Sequence, residues 1–447
     1  MKKLIAMLLA LVMVFGLVAC GGSETAETEA PAAEAPAATE AAAEATGETG
    51  RVYYLNFKPE FDEALQGLAA TYTEKTGVEV KVVTAASGTY SSTLTAEMAK
   101  SDAPTIYNIG NLQGLKDWDE YAIDLSGTAL ADELSTNDFN LYNANGELKA
   151  LGMCFESYGI IVNLDLLETA GYTVADITNF ETLKAVADDI HARSAELGFD
   201  AFSAAGLDGS SSWRFSGHPA NVPLYYEFEE DNITEQPATI KGSYLDYYRN
   251  IWDLHITDSA TDAKTLASST GDESKAQFTE GKAVFFQNGS WEYTSLANDN
   301  GMNVQMIPIY CGVEGEEKAG LCSGTENCWA INSKVSEADQ QASIDFLVWM
   351  VSDPEASATM VDQLGSVPFK NAPASSNGFI LDGNAILENG GYSVTWAFND
   401  TPNVDSYRAT LVTALTAYSA DPTDANWEQV VSAYVDGWAI EYQTVNG

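Results

Sequence analysis

Residues 278–291 read FTEGKAVFFQNGSW, and the fold expected for the chain depends on this stretch. It begins as the end of a helix, turns at a glycine and continues as the short apolar strand AVFF. The strand then ends in the polar tip Asn288, Gly289 and Ser290, with the indole of Trp291 directly after it. Amide groups and an aromatic ring that converge at one place are typical of a ligand site. We therefore expect this strand to end at a binding cleft.

The region nearer the amino terminus alternates strands and helices. RVYYLNF at 51–57 and VEVKVVTA at 78–85 are predicted strands. Between them, residues 60–77 place apolar side chains at helical spacing, and the pattern stops at Gly77. A strand, a helix and a second strand in this order form a β-α-β unit, which builds a parallel sheet. The pattern predicts an α/β fold.

Residues 88–110 repeat the pattern of helix, turn and strand. The repeat leaves Asn108 and Asn111 just past the predicted strand end. Ligands of open parallel sheets bind in the crevice beyond the carboxyl ends of the strands, so both asparagines are candidate ligand contacts. The alternative is that they are turn residues whose side chains bond their own backbone.

Size and composition indicate two lobes. About 400 residues follow position 50, and a single core stops growing at roughly 250 to 300 residues. With 45% hydrophobic and 11% aromatic residues, the chain can bury two cores. Its formal net charge of −44 repels nucleic acid and anionic lipid, so we expect no nucleic-acid partner. The plainer interpretation of the charge is an acidic exterior that keeps the protein in solution.

The first residues predict export. Two lysines precede an apolar run at 4–18, which is shorter than the roughly 20 residues of a membrane span. The basic front and the small residues at the exit, LVACGG at 17–22, are typical of a secretion signal. The exit resembles the bacterial lipobox, so residues 1–19 are interpreted as a signal peptide and Cys20 as a lipidated membrane anchor. A cysteine buried in an apolar helix is the alternative.

Residues 20–49 are predicted to form a tether. After Cys20 the segment contains no aromatic, basic or large aliphatic residue, and seven glutamates keep it solvated. Such a composition cannot bury enough apolar surface to fold. We expect a disordered acidic segment that spaces the folded part from the membrane.

Neither the cysteines nor the histidines form a metal pattern. The remaining cysteines are Cys154, Cys311, Cys322 and Cys328, and the histidines are His191, His218 and His255. Their spacings match no zinc motif, and no two histidines form an H-x-x-x-H pair. The sequence therefore predicts neither a metal ion nor a cofactor. A disulfide between two of the last three cysteines stays an open alternative.

Three blocks of the sequence occur in one known family in the same order. The first is ALGMCFESYGIIVNLDLLETAGY at 150–172, followed by ITNFETLKAVADDI at 177–190. The second is 278–291, with VQMIPIY at 304–310 after it. The third is GTENCWAINSKVSEADQQASIDFLVWMVSDPEA at 324–356. Together the blocks resemble the extracellular solute-binding proteins of carbohydrate ABC transporters, the family of maltose-binding protein.

Two positions depart from the family pattern. Val162 stands where the family usually has a tyrosine, and Phe180 where it usually has a tryptophan. One ring contact of the family is thereby lost, while the fold assignment stands. The resemblance runs from residue 51 to about residue 370. It implies a two-lobed fold of the type II periplasmic-binding-protein kind, with a ligand cleft between the lobes.

The resemblance also implies that both lobes are discontinuous in sequence. The amino-terminal lobe is expected to comprise residues 50–155 and 325–372. The carboxy-terminal lobe is expected to comprise residues 156–324 and 373–447.

Crossing strands between the lobes are expected near 153–158, 321–325 and 370–376. Hinge motion about them should close the lobes on a ligand, because a ligand that contacts both lobes favours the closed state. The closed form would then dock on a membrane permease. The expected activity is binding and not catalysis.

The resemblance implies roles for four residues. A pyranose has hydroxyls around its rim and an apolar face of C–H bonds; an indole matches the face, and amides or carboxylates match the rim. By family position, Trp291 is implied to stack on a sugar ring and Glu156 to accept hydrogen bonds from hydroxyls. Asn111 is implied to be a further polar contact, and Lys58 a donor.

Structural alternatives stay open for these residues. Trp291 could cap the core beneath the cleft. Glu156 could pair with a lysine or arginine between the lobes. Lys58, which precedes a proline, could simply be solvated.

A further candidate region is AAGLDGSSSWRFSGHP at 204–219. A loop rich in glycine and serine that carries Trp213 and Asp208 could cover the ligand, because loops on a rigid scaffold carry binding groups. A plain surface excursion is the alternative. Three other aromatic residues that could reach the cleft are better explained by core packing: Tyr90, Trp329 and Trp396.

The sequence thus predicts a binding protein that captures a sugar or oligosaccharide and delivers it to the permease subunits of an ABC transporter. We expect a monomer, held by its lipid at the extracellular face of the cytoplasmic membrane. One rival is a receptor for oligopeptides or amino acids, in which Arg214 and Glu156 hold the opposite charges of the ligand.

A second rival is an enzyme that acts on cell-surface glycans. Such an enzyme needs two carboxylates that face each other across the scissile bond, and the many acidic residues do not exclude such a pair. The chain has no G-x-S-x-G, H-E-x-x-H or P-loop motif. This rival is therefore the weaker one.

Overall fold

The computed structural model describes residues 50–204 and 206–447, which contain two six-stranded sheets. The predicted signal peptide, the lipidated Cys20 and the tether lie outside the described residues. In chain order the strands are β1 Val52–Asn56, β2 Val80–Thr84, β3 Ile106–Ile109, β4 Leu141–Tyr142, β5 Leu148–Gly152, β6 Glu156–Asn163, β7 Asp200–Ser203, β8 Ala283–Gly289, β9 Val304–Ile307, β10 Ala319–Gly324, β11 Cys328–Ile331 and β12 Tyr392–Thr395.

The first sheet has the order β2-β1-β3-β11-β5-β4. β1 pairs in parallel with β2 and β3, as the β-α-β pattern predicts, and β11 runs antiparallel to β3 and β5. Since β11 comes almost 220 residues after β3 in the sequence, the sheet is completed only when the chain returns. The first sheet and the helices packed on it form the first lobe.

The second sheet has the order β12-β10-β6-β8-β7. β6 pairs antiparallel with β8 along one side, and along the other side it pairs first with β10 and then with β9. All eight residues of β6 are buried, and its central stretch YGIIV at 158–162 carries no charged side chain. The second sheet and its helices form the second lobe, so the chain has the two-lobed α/β fold that was predicted.

Sixteen α-helices lie in the described part of the chain. They are α1 Asp62–Thr76, α2 Tyr90–Met98, α3 Leu112–Trp118, α4 Ala129–Asp132, α5 Leu164–Ala170, α6 Phe180–Ala192, α7 Ser194–Leu197, α8 Trp213–Ser216, α9 His218–Asp231, α10 Leu245–Thr257, α11 Gly271–Thr279, α12 Glu337–Ser352, α13 Pro354–Leu364, α14 Gly378–Glu388, α15 Val404–Ala420 and α16 Asp424–Asn446.

Single turns of 3-10 helix complete the connections at Pro59–Phe61, Asp119–Tyr121, Val174–Asp176, Ser290–Glu292, Glu316–Lys318 and Ala397–Asp400. A longer 3-10 segment spans Ala263–Ser268, and a π-helix spans Thr294–Asp299. No helix in the described ranges is long and apolar enough to cross a membrane.

Local signals explain where the helices begin and end. α1 ends at Gly77, whose φ of 76° is left-handed and therefore favours glycine. α6 begins with a capping box in which Asn179 and Thr182 bond each other's backbone amides. α11 begins with the same arrangement between Thr270 and Glu273. These ends are encoded within a few residues.

Each face of the first sheet covers a separate apolar core. Tyr54 and Trp329 lie on one face, where the indole Nε1 of Trp329 donates to the hydroxyl of Tyr54 at 2.7 Å. Leu55 and Tyr107 lie on the opposite face. Tyr90 packs beside this second face, and its hydroxyl donates to the Leu55 carbonyl. Core packing is therefore confirmed for Trp329 and Tyr90.

Two sequence predictions about chain segments were wrong. Residues 370–376 are not a strand. This segment is tied to the first lobe by single bonds, such as Lys370 N to Glu133 O, and Pro373 has no amide hydrogen to offer a ladder. From its sequence, the segment 426–447 was predicted to be a closing helix with a frayed tail, but α16 continues to Asn446.

The four described cysteines are free and buried, so the structure contains no disulfide between them. Burial raises the pKa of the Cys322 and Cys328 thiols to about 12. These thiols stay protonated at neutral pH and pack as small apolar side chains.

A buried carboxylate should make stability depend on pH. Asp258 follows α10 and is 5% exposed, and its Oδ2 has no hydrogen-bond partner in the described structure. Burial, together with the neighbouring Asp188 carboxylate, raises the pKa of Asp258 to about 6. Because this pKa lies above that of the unfolded chain, the stability that Asp258 contributes is lost as the pH rises from about 4 to 6.

We expect Asp258→Asn to raise the free energy of unfolding by about 1 kcal/mol at pH 7.5, a figure discounted for the water that still reaches the site. The gain should shrink at pH 4.5, where the native carboxyl is already protonated. Urea denaturation at both pH values measures this change in the free energy of unfolding. The control is Asp246→Asn, which removes an exposed carboxylate from α10. An equal loss of stability at both pH values would contradict the prediction.

Candidate ligand-binding cleft

The two lobes meet where the chain crosses between the sheets. One crossing connects β5 to β6, a second connects β10 to β11, and a third connects α13 to α14. The first two crossings are neighbours, because Gly324 pairs with Glu156 and the Met153 amide donates to the Asn327 carbonyl at 2.7 Å. The carboxyl ends of β1, β3 and β8 carry residues that surround them. This region is the cleft.

A buried ion pair lies at the crossings. Lys58 and Glu156 are 4% and 3% exposed, and Lys58 Nζ is 2.7 Å from Glu156 Oε1. Lys58 also pairs with Glu60 at 2.7 Å, and Asn327 Nδ2 donates to Glu156 Oε2 at 3.0 Å. The alternative in which Glu156 pairs with a cation is therefore observed, whereas a solvated Lys58 is not.

Burial and ion pairing shift the pKa values of Lys58 and Glu156 in opposite directions. Burial alone would lower the pKa of Lys58, but the Glu156 and Glu60 carboxylates outweigh it and hold that pKa well above its usual value. Burial raises the pKa of Glu156, and Lys58 partly offsets the rise. Lys58 is therefore protonated at neutral pH.

The turn after β1 places Lys58 in the cleft. Asn56 accepts a hydrogen bond from the Lys58 amide at 3.1 Å and donates to the Lys58 carbonyl at 2.7 Å. These two bonds fold the backbone back at the end of β1. Pro59 then starts a helical turn, where its missing amide hydrogen has no cost.

Two asparagines bring unpartnered amide atoms to the same region. Asn108 is 3% exposed, and neither its Nδ2 nor its Oδ1 has a hydrogen-bond partner among the described residues. It lies inside β3, opposite Trp329, and not past the strand end as predicted. The Oδ1 of Asn327 is also unpartnered. Because buried amides are normally bonded, these atoms need an additional polar partner.

Trp291 follows β8 in the manner predicted from the sequence. Its Nε1 donates to Asn288 Oδ1 at 3.0 Å, which fixes the indole, and the ring is partly exposed. Lys58 Nζ lies 5.8 Å from the ring centroid. Asn288 also donates to Glu292, which pairs with Lys275. The polar tip therefore serves to hold the indole at the crossings.

The missing side chain of Gly289 leaves room for the indole. A Cβ at this position would lie 2.1 Å from Trp291 Cη2 and 2.2 Å from Cζ3. We expect Gly289→Ala to displace the indole, to lower stability by about 1 to 3 kcal/mol and to weaken ligand binding at least about tenfold. Tryptophan fluorescence and calorimetric titration measure the two effects.

The control for this substitution is Gly67→Ala. Gly67 lies in α1 on an exposed surface, and a Cβ there would meet no atom within 4 Å. Alanine should stabilise that helix slightly and leave binding unchanged. If Gly289→Ala bound ligand as well as the control does, the position of the indole would not matter for binding.

A row of aromatic rings extends from Trp291 through the second lobe. His218 lies 5.5 Å from Trp291 and stacks on Tyr158 with ring centroids 3.8 Å apart. Trp396 stacks on the other side of Tyr158, at 5.4 Å, and Trp213 lies 6.0 Å from Trp291. Burial, with help from nearby arginines, holds the pKa of His218 well below its usual value, so the ring is neutral. Trp396 is buried, as predicted for a core residue.

The segment 204–219 is partly helical and not simply a loop, since it contains α8 and the start of α9. Asp208 Oδ1 accepts bonds from the amide and hydroxyl of Ser210 and from the Ser211 hydroxyl. The Trp213 Nε1 donates to the Ser210 carbonyl at 3.0 Å. Asp208 therefore orders the segment that presents Trp213.

Asn111 serves as a helix cap in this structure. Its Oδ1 accepts a bond from the Gly114 amide at 2.8 Å and thereby caps α3. The alternative of a side chain that bonds its own backbone is thus observed for Asn111, but not for Asn108.

Sequence reasoning missed three residues of this region. Asn327, His218 and Gln287 lie within quoted stretches, yet nothing in the local pattern distinguishes them from their neighbours. Gln287 pairs with His218 at 2.9 Å, and its Oε1 has no partner in the described structure. Their importance arises from contacts between residues that are distant in sequence.

A separate pocket of about 590 Å³ lies on the second lobe, next to α11. It is lined by small and polar side chains, among them Thr261, Glu273 and Gln277, and by no aromatic residue. Its lining includes none of the cleft residues described above, so it is distinct from the cleft.

The fold and the cleft define the class of protein: two α/β lobes joined by crossing segments, with polar and aromatic groups between them, as in solute-binding proteins. The chain belongs to the bacterial extracellular solute-binding protein family, whose family model matches residues 67–382. The members of this family are binding proteins. No curated protein matches the chain.

Solved structures with the same fold cover most of the chain. RafE in complex with raffinose has a TM-score of 0.69 and 20% identity, over 88% of this chain and 100% of that one. MsmE from Bacillus subtilis, a putative binding protein in an open conformation, has a TM-score of 0.65 and 16% identity, over 91% and 100%. The GacH receptor of Streptomyces glaucescens has a TM-score of 0.64 and 17% identity, over 89% and 99%. At these identities the likeness establishes the fold.

Proposed function

We propose that this protein captures a sugar or oligosaccharide in the cleft and delivers it to the permease of an ABC importer. The observation that carries the proposal is a partly exposed indole, Trp291, in a cleft that also holds buried amide atoms without partners among the described residues. An apolar face next to unsatisfied donors and acceptors matches the two kinds of surface of a pyranose. The related RafE was solved in complex with raffinose and the related GacH in complex with acarbose, which supports this ligand class.

Different cleft residues would contact different parts of the sugar. The indole of Trp291 would stack on the apolar face of a sugar ring. The amide of Asn108 and the Oδ1 of Asn327 would bond hydroxyls, because each has unused capacity. Glu156 would accept a further hydrogen bond beside Lys58. Asn111 would contribute through its Nδ2, because its Oδ1 already caps α3.

The segment around Asp208 and Trp213 would cover the ligand. It already touches the first lobe: the Ser87 hydroxyl donates to the Ser210 carbonyl at 3.4 Å. A second contact of this kind joins Lys116 Nζ, which donates, to Asn446 Oδ1 at 3.0 Å. A ligand held between such contacts would favour the closed arrangement of the lobes.

The lobe boundaries stay part of the proposal. We place residues 50–155 and 325–372 in the first lobe and residues 156–324 and 373–447 in the second. Hinge motion would then occur at the three crossings.

The proposal includes the anchor and the location. Cys20 would carry the lipid and hold the protein at the extracellular face of the cytoplasmic membrane, where the permease takes up the ligand. Replacing Cys20 by alanine should release the protein into the medium. Retention of the variant on the membrane would contradict the lipid anchor.

A thermal-shift screen tests the proposed ligand class. Neutral and acidic mono- and oligosaccharides form one set, and amino acids and short peptides form the other. A ligand that binds only the folded state stabilises it by about 2.7 kcal/mol at 100 times its Kd. A response to sugars alone is the expected result. A response to peptides alone would replace the sugar by the rival ligand class.

A further inference from the structure

An arginine at the edge of the cleft lacks a partner for its charge. Arg214 lies in α8 and is 8% exposed, yet its Nε and Nη1 have no hydrogen-bond partner in the described ranges. A buried charge normally requires a paired opposite charge, because its desolvation is otherwise not compensated. The guanidinium therefore has unused bonding capacity at a site that excludes water.

The surroundings hold Arg214 in place without neutralising it. Its Cζ lies 4.2 Å from the ring centroid of Trp213. On another side it approaches Gly271, where a Cβ would lie 3.1 Å from Nη1. Gly271 is the first residue of α11, and the amino terminus of a helix carries partial positive charge. The amino terminus of α11 therefore disfavours the positive charge of Arg214 and would favour an anion bound at this place.

The nearest carboxylates are engaged elsewhere. Glu292 pairs with Lys275, Glu60 pairs with Lys58, and Asp208 bonds the serines of its own turn. They act on Arg214 only through space, as does Asp272. Burial outweighs them, so that the pKa of Arg214 is lowered from its ordinary value. The site therefore still lacks negative charge at the guanidinium itself.

Arg214 also lies beside the proposed sugar-stacking surface. The ring of Trp213, on which it packs, is 6.0 Å from the ring of Trp291. Glu60 follows β1 in the opposite lobe, and its negative charge interacts electrostatically with Arg214. A ligand stacked on the two indoles would thus present its next substituent to the guanidinium.

We propose that Arg214 binds a carboxylate of the ligand, so that the cleft takes a saccharide that carries a carboxylate group, such as an oligosaccharide of uronic acids. This inference rests on the proposed function and names the class of sugar. A carboxylate supplies both the acceptor atoms and the charge, and its hydrogen bonds to arginine are about twice as strong as neutral ones. A neutral hydroxyl would supply an acceptor atom only.

The net charge of −44 does not prevent such a ligand from binding. At physiological ionic strength the Debye length is about 8 Å, so surface carboxylates are largely screened from a ligand in the cleft. Within the cleft, Glu156 is already paired with Lys58 and bonded to Asn327. An ammonium group of an amino acid would therefore not find Glu156 free, which favours a sugar acid over a zwitterion.

Calorimetric titration of the purified protein tests the inference. The ligands are oligomers of galacturonate and glucuronate, their neutral galactose and glucose counterparts, and amino acids with short peptides. Each ligand is titrated into the wild type, Arg214→Gln and the control Arg249→Gln. Arg249 is a second-lobe arginine paired with Asp424.

We expect an acidic oligomer to bind the wild type at least tenfold more tightly than its neutral counterpart. Arg214→Gln should remove this preference, and Arg249→Gln should keep it. If Arg214→Gln does not fold, comparing the affinities of acidic and neutral sugars for the wild type still tests the inference. Equal or tighter binding of neutral sugars would overturn the inference and leave the proposed function intact. Binding of amino acids or peptides alone would overturn both the inference and the proposed function. The absence of binding by every ligand tested would do the same.

Discussion

Replacing Trp291 by alanine is expected to weaken ligand binding about 30- to 150-fold, or about 2 to 3 kcal/mol. A buried aromatic at the centre of a site contributes an effect of this size, because stacking and the exclusion of water are lost together. The indole is already oriented in the described structure by its bond to Asn288. Its contribution therefore requires no reorganisation when the ligand arrives.

Calorimetric titration with the sugar found in the screen measures this effect. The matched control is Trp349→Ala. Trp349 is a partly exposed indole of α12 in the first lobe, 5.2 Å from Lys75 Nζ, and it packs in that lobe's core. The control should lose stability and retain affinity. Undiminished affinity in Trp291→Ala would mean that the indole only caps the core, which was the structural alternative.

Replacing Lys58 by methionine is expected to lower the free energy of unfolding by about 3 kcal/mol. The substitution keeps the volume of the side chain but leaves the Glu156 carboxylate buried with Asn327 as its remaining partner. Breaking a buried pair on one side costs about 3 to 5 kcal/mol, because one charge stays uncompensated. The lower end applies here, since the partly exposed Glu60 can return to water.

The loss should depend on pH in a defined direction. Without Lys58, the pKa of Glu156 lies further above its unfolded value. The stability contributed by protonated Glu156 is present below the unfolded pKa and is lost as the pH rises through the raised one. The deficit of Lys58→Met should therefore shrink as the pH falls from 7.5 towards 4.5.

Urea denaturation across this pH range measures the prediction. Adding Glu156→Gln to Lys58→Met should restore part of the lost stability, because the buried charge is removed. The control is Lys81→Met, which removes a lysine that is 46% exposed and paired with Asp102. It should change stability by less than about 1 kcal/mol. A Lys58 variant that resembles this control would mean that the pair contributes no net stability.

Much of the fold followed from local sequence. The strands β1 and β2 and the intervening helix α1 were predicted within two residues, because apolar periodicity and Gly77 are properties of adjacent residues. The carboxyl end of β8 and the indole after it were predicted for the same reason. The segment 370–376 was predicted wrongly as a strand, because its family position suggested a crossing strand that the backbone of Pro373 does not support.

The site was predictable only in part. The sequence placed Trp291, Glu156 and Lys58 near one cleft through the positions that they share with the family pattern. It did not reveal that Lys58 and Glu156 touch, since 98 residues separate them in the chain. Nor did it show that Asn111 caps a helix while Asn108, three positions earlier, has an amide with no partner in the part of the chain that the structure describes.

The sequence by itself determined the order of helices and strands, the two-lobed α/β class and the presence of an aromatic ring after β8. These depend on periodicity, caps and turns, which act over a few residues. The tertiary structure alone decided which polar groups are satisfied. Within the described residues it pairs Lys58 with Glu156 and leaves two nitrogens of Arg214 and the amide of Asn108 without partners. Whether a buried group has a partner depends on segments that the fold brings together from both lobes. Such a contact cannot be predicted from local sequence.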